Sequence, residues 1–347
     1  MGPPSPRGLA TCSARNSIGS APVKRRIALR RTGVVIALLL AVAGAGAVLQ
    51  PDRLIDLDYA RQRIAAGLSK ATLQVDDHRW TYAHAAGNAV DAPLIVMVHG
   101  FTGSKENWYP LADALAGRYA VAIPDLPGWG ETQRVGGADY GYLAQAARVE
   151  RFIETLKARQ PREVVLLGHS MGGGIAALVA ARRPDLVARV GLLDAAGVRF
   201  ADNRFGREVL AGRNPFAVND VDTLERYVDT VFFDASAKPW VPWPASRAYI
   251  ARRVRDAGFE QGVLDGIGRG PERFLPGDAA PRIRQPALLL WCRQDAVIDA
   301  SALDLYGARM PHASRVLLDG CGHMSLMEQP AAVARAVNAL IERGASR

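Results

Sequence analysis

The chain has 347 residues, 49% hydrophobic and 7% aromatic, enough to bury a sizeable core. Of its net charge of +9, +7 sits in residues 1–47, which carry seven basic side chains and no acidic one, leaving +2 on residues 48–347. A nearly neutral body lacks the basic stripe that nucleic-acid binding needs, and three scattered cysteines (Cys12, Cys292, Cys321) supply neither a disulfide framework nor C-x-x-C metal spacing.

Residues 1–50 read as a targeting leader. A basic cluster from Lys24 to Arg31 precedes an uncharged apolar run from Gly33 to Leu49, the order that keeps the basic end in the cytoplasm and sends the rest of the chain across the membrane. Two fates stay open. The 17-residue run is retained as a short membrane anchor, or Ala45-Gly46-Ala47 is cut as a small-x-small signal-peptidase site. The use of 38 Arg against 5 Lys suggests a GC-rich bacterial genome, so the far side of the membrane is the periplasm. Residues 51–71 form a connector, with an amphipathic helix expected over Asp52–Lys70.

Strand-like runs then alternate with helical periods. Thr72–Val75 and Arg79–Ala83 pair as an opening hairpin around Asp76-Asp77. Leu94–Val98, Ala120–Ile123, Val164–Leu167, Val190–Leu193, Ala287–Trp291 and Arg315–Leu318 come after it. Several are apolar throughout, as strands covered on both faces must be. Val149, Phe152, Ile153 and Leu156 share one helix face. This alternation predicts an α/β fold with a mostly parallel, doubly wound sheet built from 72–196 and 281–347. Residues 197–280 contain no convincing strand but hold 11 of the 24 aromatic residues, and read as a helical cap or lid inserted before the penultimate strand.

The chemistry collects at strand ends. Gly168-His169-Ser170-Met171-Gly172 lies between a strand and an Ala/Gly-rich helix, where a tight turn exposes a serine hydroxyl and the residues two positions away must be glycine. His99-Gly100-Phe101-Thr102-Gly103 comes directly after Leu94–Val98, and its turn brings a backbone N–H toward that serine. The Phe101 and Met171 amides are therefore the expected oxyanion hole. His99 is read as a brace for the loop and His169 as pointing into the fold. His323, after the last strand, is the general base. His78, His84 and His312 fall in hairpin or loop positions and are expected to be exposed. Asp295, four residues past Trp291, is the acid that orients the imidazole, ahead of Asp299, an expected N-cap, and Asp194, a second acid candidate. Trp129 in the Asp125–Gly130 loop, with Phe232, Phe233 and Trp240 of the insertion, are the substrate-binding candidates; for Trp129 a structural turn is the competing reading, and for the others the insertion's own core. Cys292 and Cys321 read as two small buried residues, with a disulfide between them as the alternative. Neither metal nor cofactor is expected.

Together the stretches HGFTG, PDLPGWG, GHSMGG, RQDAVID and GCGHMSLMEQP resemble the α/β-hydrolase superfamily over roughly 72–343. Trp108, the insertion after Leu193 and the apolar N-terminal segment are similar to the membrane-anchored monoacylglycerol lipases and related bacterial lipases and esterases. The resemblance implies a Ser170–Asp295–His323 triad, an oxyanion hole at Phe101 and Met171, and a small ester or lipid substrate met at a membrane. It implies carboxylic ester hydrolysis through an acyl-enzyme. Carbon–carbon bond hydrolysis of ring-cleavage products and a non-catalytic hydrolase-like scaffold are the alternatives.

Overall fold

The computed structural model describes residues 1–2, 46, 48–89 and 91–343. The basic cluster, Cys12, Ala47 and most of the apolar run lie outside the described residues. Among the described residues no helix is long and apolar enough to cross a membrane. The chain divides into Met1–Pro51 and Asp52–Arg347, and the sheet and its helices all belong to the second unit.

Helix α1 (Asp52–Ala65) opens on Asp52 and closes on Arg63, charges that complement its dipole. It ends five residues before the predicted Lys70, because Gly67 takes a left-handed φ of 67° and the chain is extended again from Ser69. Strands β1 (Ser69–Val75) and β2 (His78–Ala85) meet across a two-residue turn. The remaining strands are β3 (Leu94–Val98), β4 (Ala120–Pro124), β5 (Val164–His169), β6 (Arg189–Leu193), β7 (Ala287–Cys292) and β8 (Ser314–Leu318). They form one eight-stranded sheet in the order β1-β2-β4-β3-β5-β6-β7-β8, antiparallel from β1 to β4 and parallel from there on.

The apolar pattern of the strands explains the layering. Strands β3 to β7 are buried at every position, and alternate side chains feed two cores. Val96, Leu166, Leu192 and Leu289 face the layer holding α3 (Tyr142–Arg159), α4 (Met171–Arg182) and α9 (Ser301–Arg309). Ile95, Val165, Leu193 and Leu288 face α2 (Tyr109–Ala114) and α11 (Pro330–Glu342). Val149, Phe152 and Ile153 are fully buried on α3, with Leu156 partly so. Only the edge strand β8 alternates between half-buried and exposed positions.

Between β6 and β7 the chain is helical: α5 (Arg204–Leu210), α6 (Val221–Val231), α7 (Ala245–Gly268) and α8 (Leu275–Ala279). Side-chain caps define two starts. Asn203 accepts from Gly206 N–H at 2.7 Å, and Asp220 from Thr223 N–H at 2.8 Å. Helix α7 carries a buried Arg253–Glu260 ion pair at 3.0 Å, and its Arg252 reaches back to Asp52 and Asp56 of α1.

Candidate active site

The turn from β5 into α4 places Ser170 at φ 55° and ψ −121°, a conformation that costs a non-glycine residue about 1–3 kcal/mol. The residues two positions away on either side have no room for side chains. A Cβ on Gly168 would sit 2.1 Å from Gly172 O, and one on Gly172 2.2 Å from Val98 O. Thr102 (φ 58°) and Asp194 (φ 46°) hold left-handed backbone nearby, so three of the four such non-glycine residues described lie at this end of the sheet.

Two main-chain donors flank the serine. Phe101 N–H lies in the loop after β3, and Met171 N–H opens α4. Among the described residues neither donates to a protein acceptor, and both residues share a cavity wall with Ser170. The Phe101 loop is braced from both sides. His99, fully buried, accepts Leu126 N–H on Nε2 at 2.9 Å and donates from Nδ1 to Gly100 O at 2.8 Å. Burial pulls its pKa down to about 4, so it stays neutral. Lys105 places its N–H and its ammonium on Asp125, each at 2.8 Å, and its charge is further matched by Glu106 and Glu131. A buried lysine is tolerated only with such pairing.

Asp295 and His323 meet at the ends of β7 and β8. Asp295 Oδ1 accepts from Val297 N–H at 2.8 Å and Ile298 N–H at 2.9 Å, and Oδ2 lies 2.8 Å from His323 Nδ1. With both oxygens accepting, the imidazole carries its proton on Nδ1 and leaves Nε2 free to accept. Both residues are buried, at 5% and 3% exposure. Burial pulls the His323 pKa down to about 3, against the upward effect of Glu328. The same burial pushes Asp295 upward, and its two amide donors oppose it. His169 points into the fold and donates from Nε2 to His323 O at 2.7 Å, which ties His323 to the residue beside the serine. Among the described residues the Ser170 hydroxyl makes no hydrogen bond with His323. Such bonds are often long or poorly aligned in ligand-free enzymes and tighten with substrate.

The other acidic candidates have separate work. Asp194, fully buried, accepts from Cys292 N–H at 2.9 Å and from the Ser325 hydroxyl at 2.5 Å. It ties the end of β7 to the segment after His323 and makes no hydrogen bond with the imidazole. Asp299 accepts from Ser301 N–H at 2.9 Å, at the start of α9. Cys292 and Cys321, preferred in the sequence as reduced core residues, are joined by a disulfide with Cα atoms 5.3 Å apart. It cross-links the loops that carry Asp295 and His323. His78 is also a correction. Expected to be exposed, it is 2% exposed because it begins β2 on the same inward face as Trp80.

A cavity of about 280 Å³ opens beside Ser170, walled by Phe101, Met171, Val198, Phe205, Phe216, Leu264, Ile267 and Val297 among others. The four predicted substrate-binding aromatics do not line it. Trp129 is buried between Tyr140 and Phe259, and Phe232 is buried in the core. Phe233 and Trp240 are exposed at the surface, at 55% and 86%. Sequence reasoning missed Phe205, Phe216, Leu264 and Ile267. The spacings Phe205/Val209 and Leu264/Ile267, i to i+4 and i to i+3 on single helices, were the available signal.

Residues 93–330 match the protein family described as alpha/beta hydrolase fold. The monoacylglycerol lipase ABHD6 of Homo sapiens is 26% identical over 310 residues, covering 88% of this chain and 91% of that protein. Lipase 3 of Moraxella sp. (strain TA144) is 26% identical over 309 residues, covering 86% and 94%. A crystal structure of a membrane phospholipase A, described as a novel bacterial virulence factor, superposes with a TM-score of 0.79 at 32% identity, covering 92% of this chain and 100% of that one. The glycine-flanked serine turn, the parallel sheet and the match over most of its length agree: the chain belongs to the alpha/beta hydrolase family.

Proposed function

We propose that this protein is a serine hydrolase that cleaves carboxylic esters of monoacyl or medium-chain lipids, with Ser170 as nucleophile, His323 as general base and Asp295 as its orienting acid. The observation that carries the reading is the buried Asp295–His323 hydrogen bond of 2.8 Å, which fixes a neutral imidazole with a free Nε2 at the strand ends beside the strained serine. His323 takes the Ser170 proton as Oγ attacks the ester carbonyl, and the oxyanion forms against Phe101 and Met171 N–H. The same imidazolium protonates the leaving alcohol. Water, deprotonated by His323, then releases the acid from the acyl-enzyme.

The apolar cavity supports an acyl chain, and about 280 Å³ is at the small end of sites that take small organic ligands, favouring one chain over two. The relatives named as lipases support the ester bond as the one cleaved. The helical segment 197–280 acts as the cap that walls the acyl pocket. The N-terminal segment anchors the body to the membrane or is cut near Ala47, leaving it on the periplasmic side. The Cys292–Cys321 disulfide supports an oxidising compartment.

A series of p-nitrophenyl esters from acetate to palmitate, run beside a vinylogous diketone, tests this reading. Turnover peaking at intermediate chain length and abolished in Ser170→Ala is expected. Faster cleavage of the diketone, or full ester turnover in Ser170→Ala, would overturn it.

A further inference from the structure

Glu328 closes the short helix α10 (Ser325–Glu328), five residues after His323. Its two carboxylate oxygens accept three main-chain N–H groups from two parts of the chain. Oε1 takes Gly322 N–H at 2.8 Å, while Oε2 takes Phe233 N–H at 2.9 Å and Asp234 N–H at 2.7 Å. The first donor is the residue before His323. The other two begin the stretch that leaves α6 in the helical insertion. Met324 N–H, on the other side of His323, donates to Val231 O at 3.1 Å. The contact is close enough to dictate sequence: a Cβ on Gly322 would sit 2.8 Å from Phe233 N.

We infer that Glu328 is a positioning residue that clasps the His323 loop to residues 231–234 of the insertion, so that the seating of the insertion sets the place of the imidazole relative to Ser170. The inference rests on the hydrolase reading above. Met324 is bonded to the insertion directly and Gly322 through Glu328, and the His323 carbonyl is held by His169. The main chain around His323 therefore has one strand-side tether and two that lead to the insertion, while Asp295 holds the ring itself. In this structure the serine–imidazole bond is not made, while all three Glu328 bonds are. An acyl chain entering between the insertion and the sheet displaces the insertion and, through Glu328, carries the imidazole with it.

Charge-assisted acceptance makes a carboxylate suited to this place. Glutamine keeps the volume, but its NH2 must face an amide donor on one of the two sides. The titratable groups around His323 are Asp295 after β7, His169 at the end of β5 and Glu328 on α10, with Asp194 after β6 bonded to Ser325. The negative charge of Glu328 favours the protonated imidazole.

The experiment measures kcat and KM on a short soluble ester, per serine titrated with a fluorophosphonate so that inactive molecules are not counted. Glu328→Gln is expected to lower kcat about 10-fold or more, since a misplacement near 1 Å costs about 100-fold, with KM nearly unchanged. The acid limb of kcat/KM should move to lower pH. Phe233→Pro removes one insertion donor without touching the serine pocket, and Phe232 before it is already extended at φ −112° and ψ 133°, as proline requires. It should lower kcat in the same direction and combine non-additively with Glu328→Gln. If Glu328→Gln does not fold, Phe233→Pro alone decides. Unchanged kcat per titrated serine in the folded variants, with only a lower melting temperature, would overturn the clasp. No turnover and no serine adduct in the unmodified protein would instead overturn the hydrolase reading.

Discussion

Asp295→Asn separates the proposed acid from its neighbour Asp194 more sharply than any deletion. Asp295 accepts three hydrogen bonds, two from the Val297 and Ile298 amides on Oδ1 and one from His323 on Oδ2. Asparagine has one acceptor oxygen, and the two amides hold it. Its NH2 then faces His323 Nδ1, which must accept, so the ring proton moves to Nε2 and the base can no longer take the serine proton. The volume is unchanged. A wrong tautomer of this kind costs about 10⁴ in kcat, roughly 5 kcal/mol at 1.36 kcal/mol per decade. Asp194→Asn lacks that penalty. Its carbonyl still accepts from Cys292 N–H, and its NH2 can donate to the Ser325 hydroxyl. A fall of no more than about 10-fold is expected there, in line with exchanging a charge-assisted bond for a neutral one. Steady-state turnover of a short ester, with circular dichroism to confirm folding, makes the comparison. A greater loss in Asp194→Asn than in Asp295→Asn would refute the assignment.

The same geometry makes two further outcomes testable. In the proposed mechanism His323 acts only when neutral, so activity is lost as pH falls through its pKa; burial holds that pKa below its ordinary value, so the acid limb attributable to His323 should lie below pH 6.5, where an ordinary imidazole is about half protonated. The pH–rate profile checks this. Replacing both Cys292 and Cys321 by serine opens a closed loop of 29 residues' separation and should cost about 3–4 kcal/mol of stability, read as a lower midpoint in urea, while the buried bond resists mild reductant in the folded protein. An unchanged midpoint would mean that the cross-link does not form in solution.

The parts of the molecule fixed by local pattern were legible in the sequence. Continuous apolar runs marked the buried strands, and the glycines around Ser170 marked the turn, because no other residue fits 2.1–2.2 Å from a backbone oxygen. The position of His323 after the last strand likewise comes from chain order. Features that depend on tertiary packing were not legible. Phe232, Phe233 and Trp240 stand out as large aromatics, yet which ones face the cavity depends on how α5, α6 and α7 seat on the sheet, and the lining falls to Phe205, Phe216 and Leu264 instead. The pairing of Cys292 with Cys321 was legible only as the alternative reading, because it depends on the register of β7 and β8, Cys292 opposite Leu318, which spacing alone does not state. The link from Glu328 to the insertion joins residues 94 and 95 apart in sequence and leaves no local signature.

Mass spectrometry of the folded protein after fluorophosphonate labelling addresses the chemistry most directly. A single adduct on Ser170, absent in Ser170→Ala and strongly slowed in His323→Ala, is the expected result. A folded protein that leaves Ser170 unlabelled, or that labels equally fast without His323, would contradict the proposed serine hydrolase.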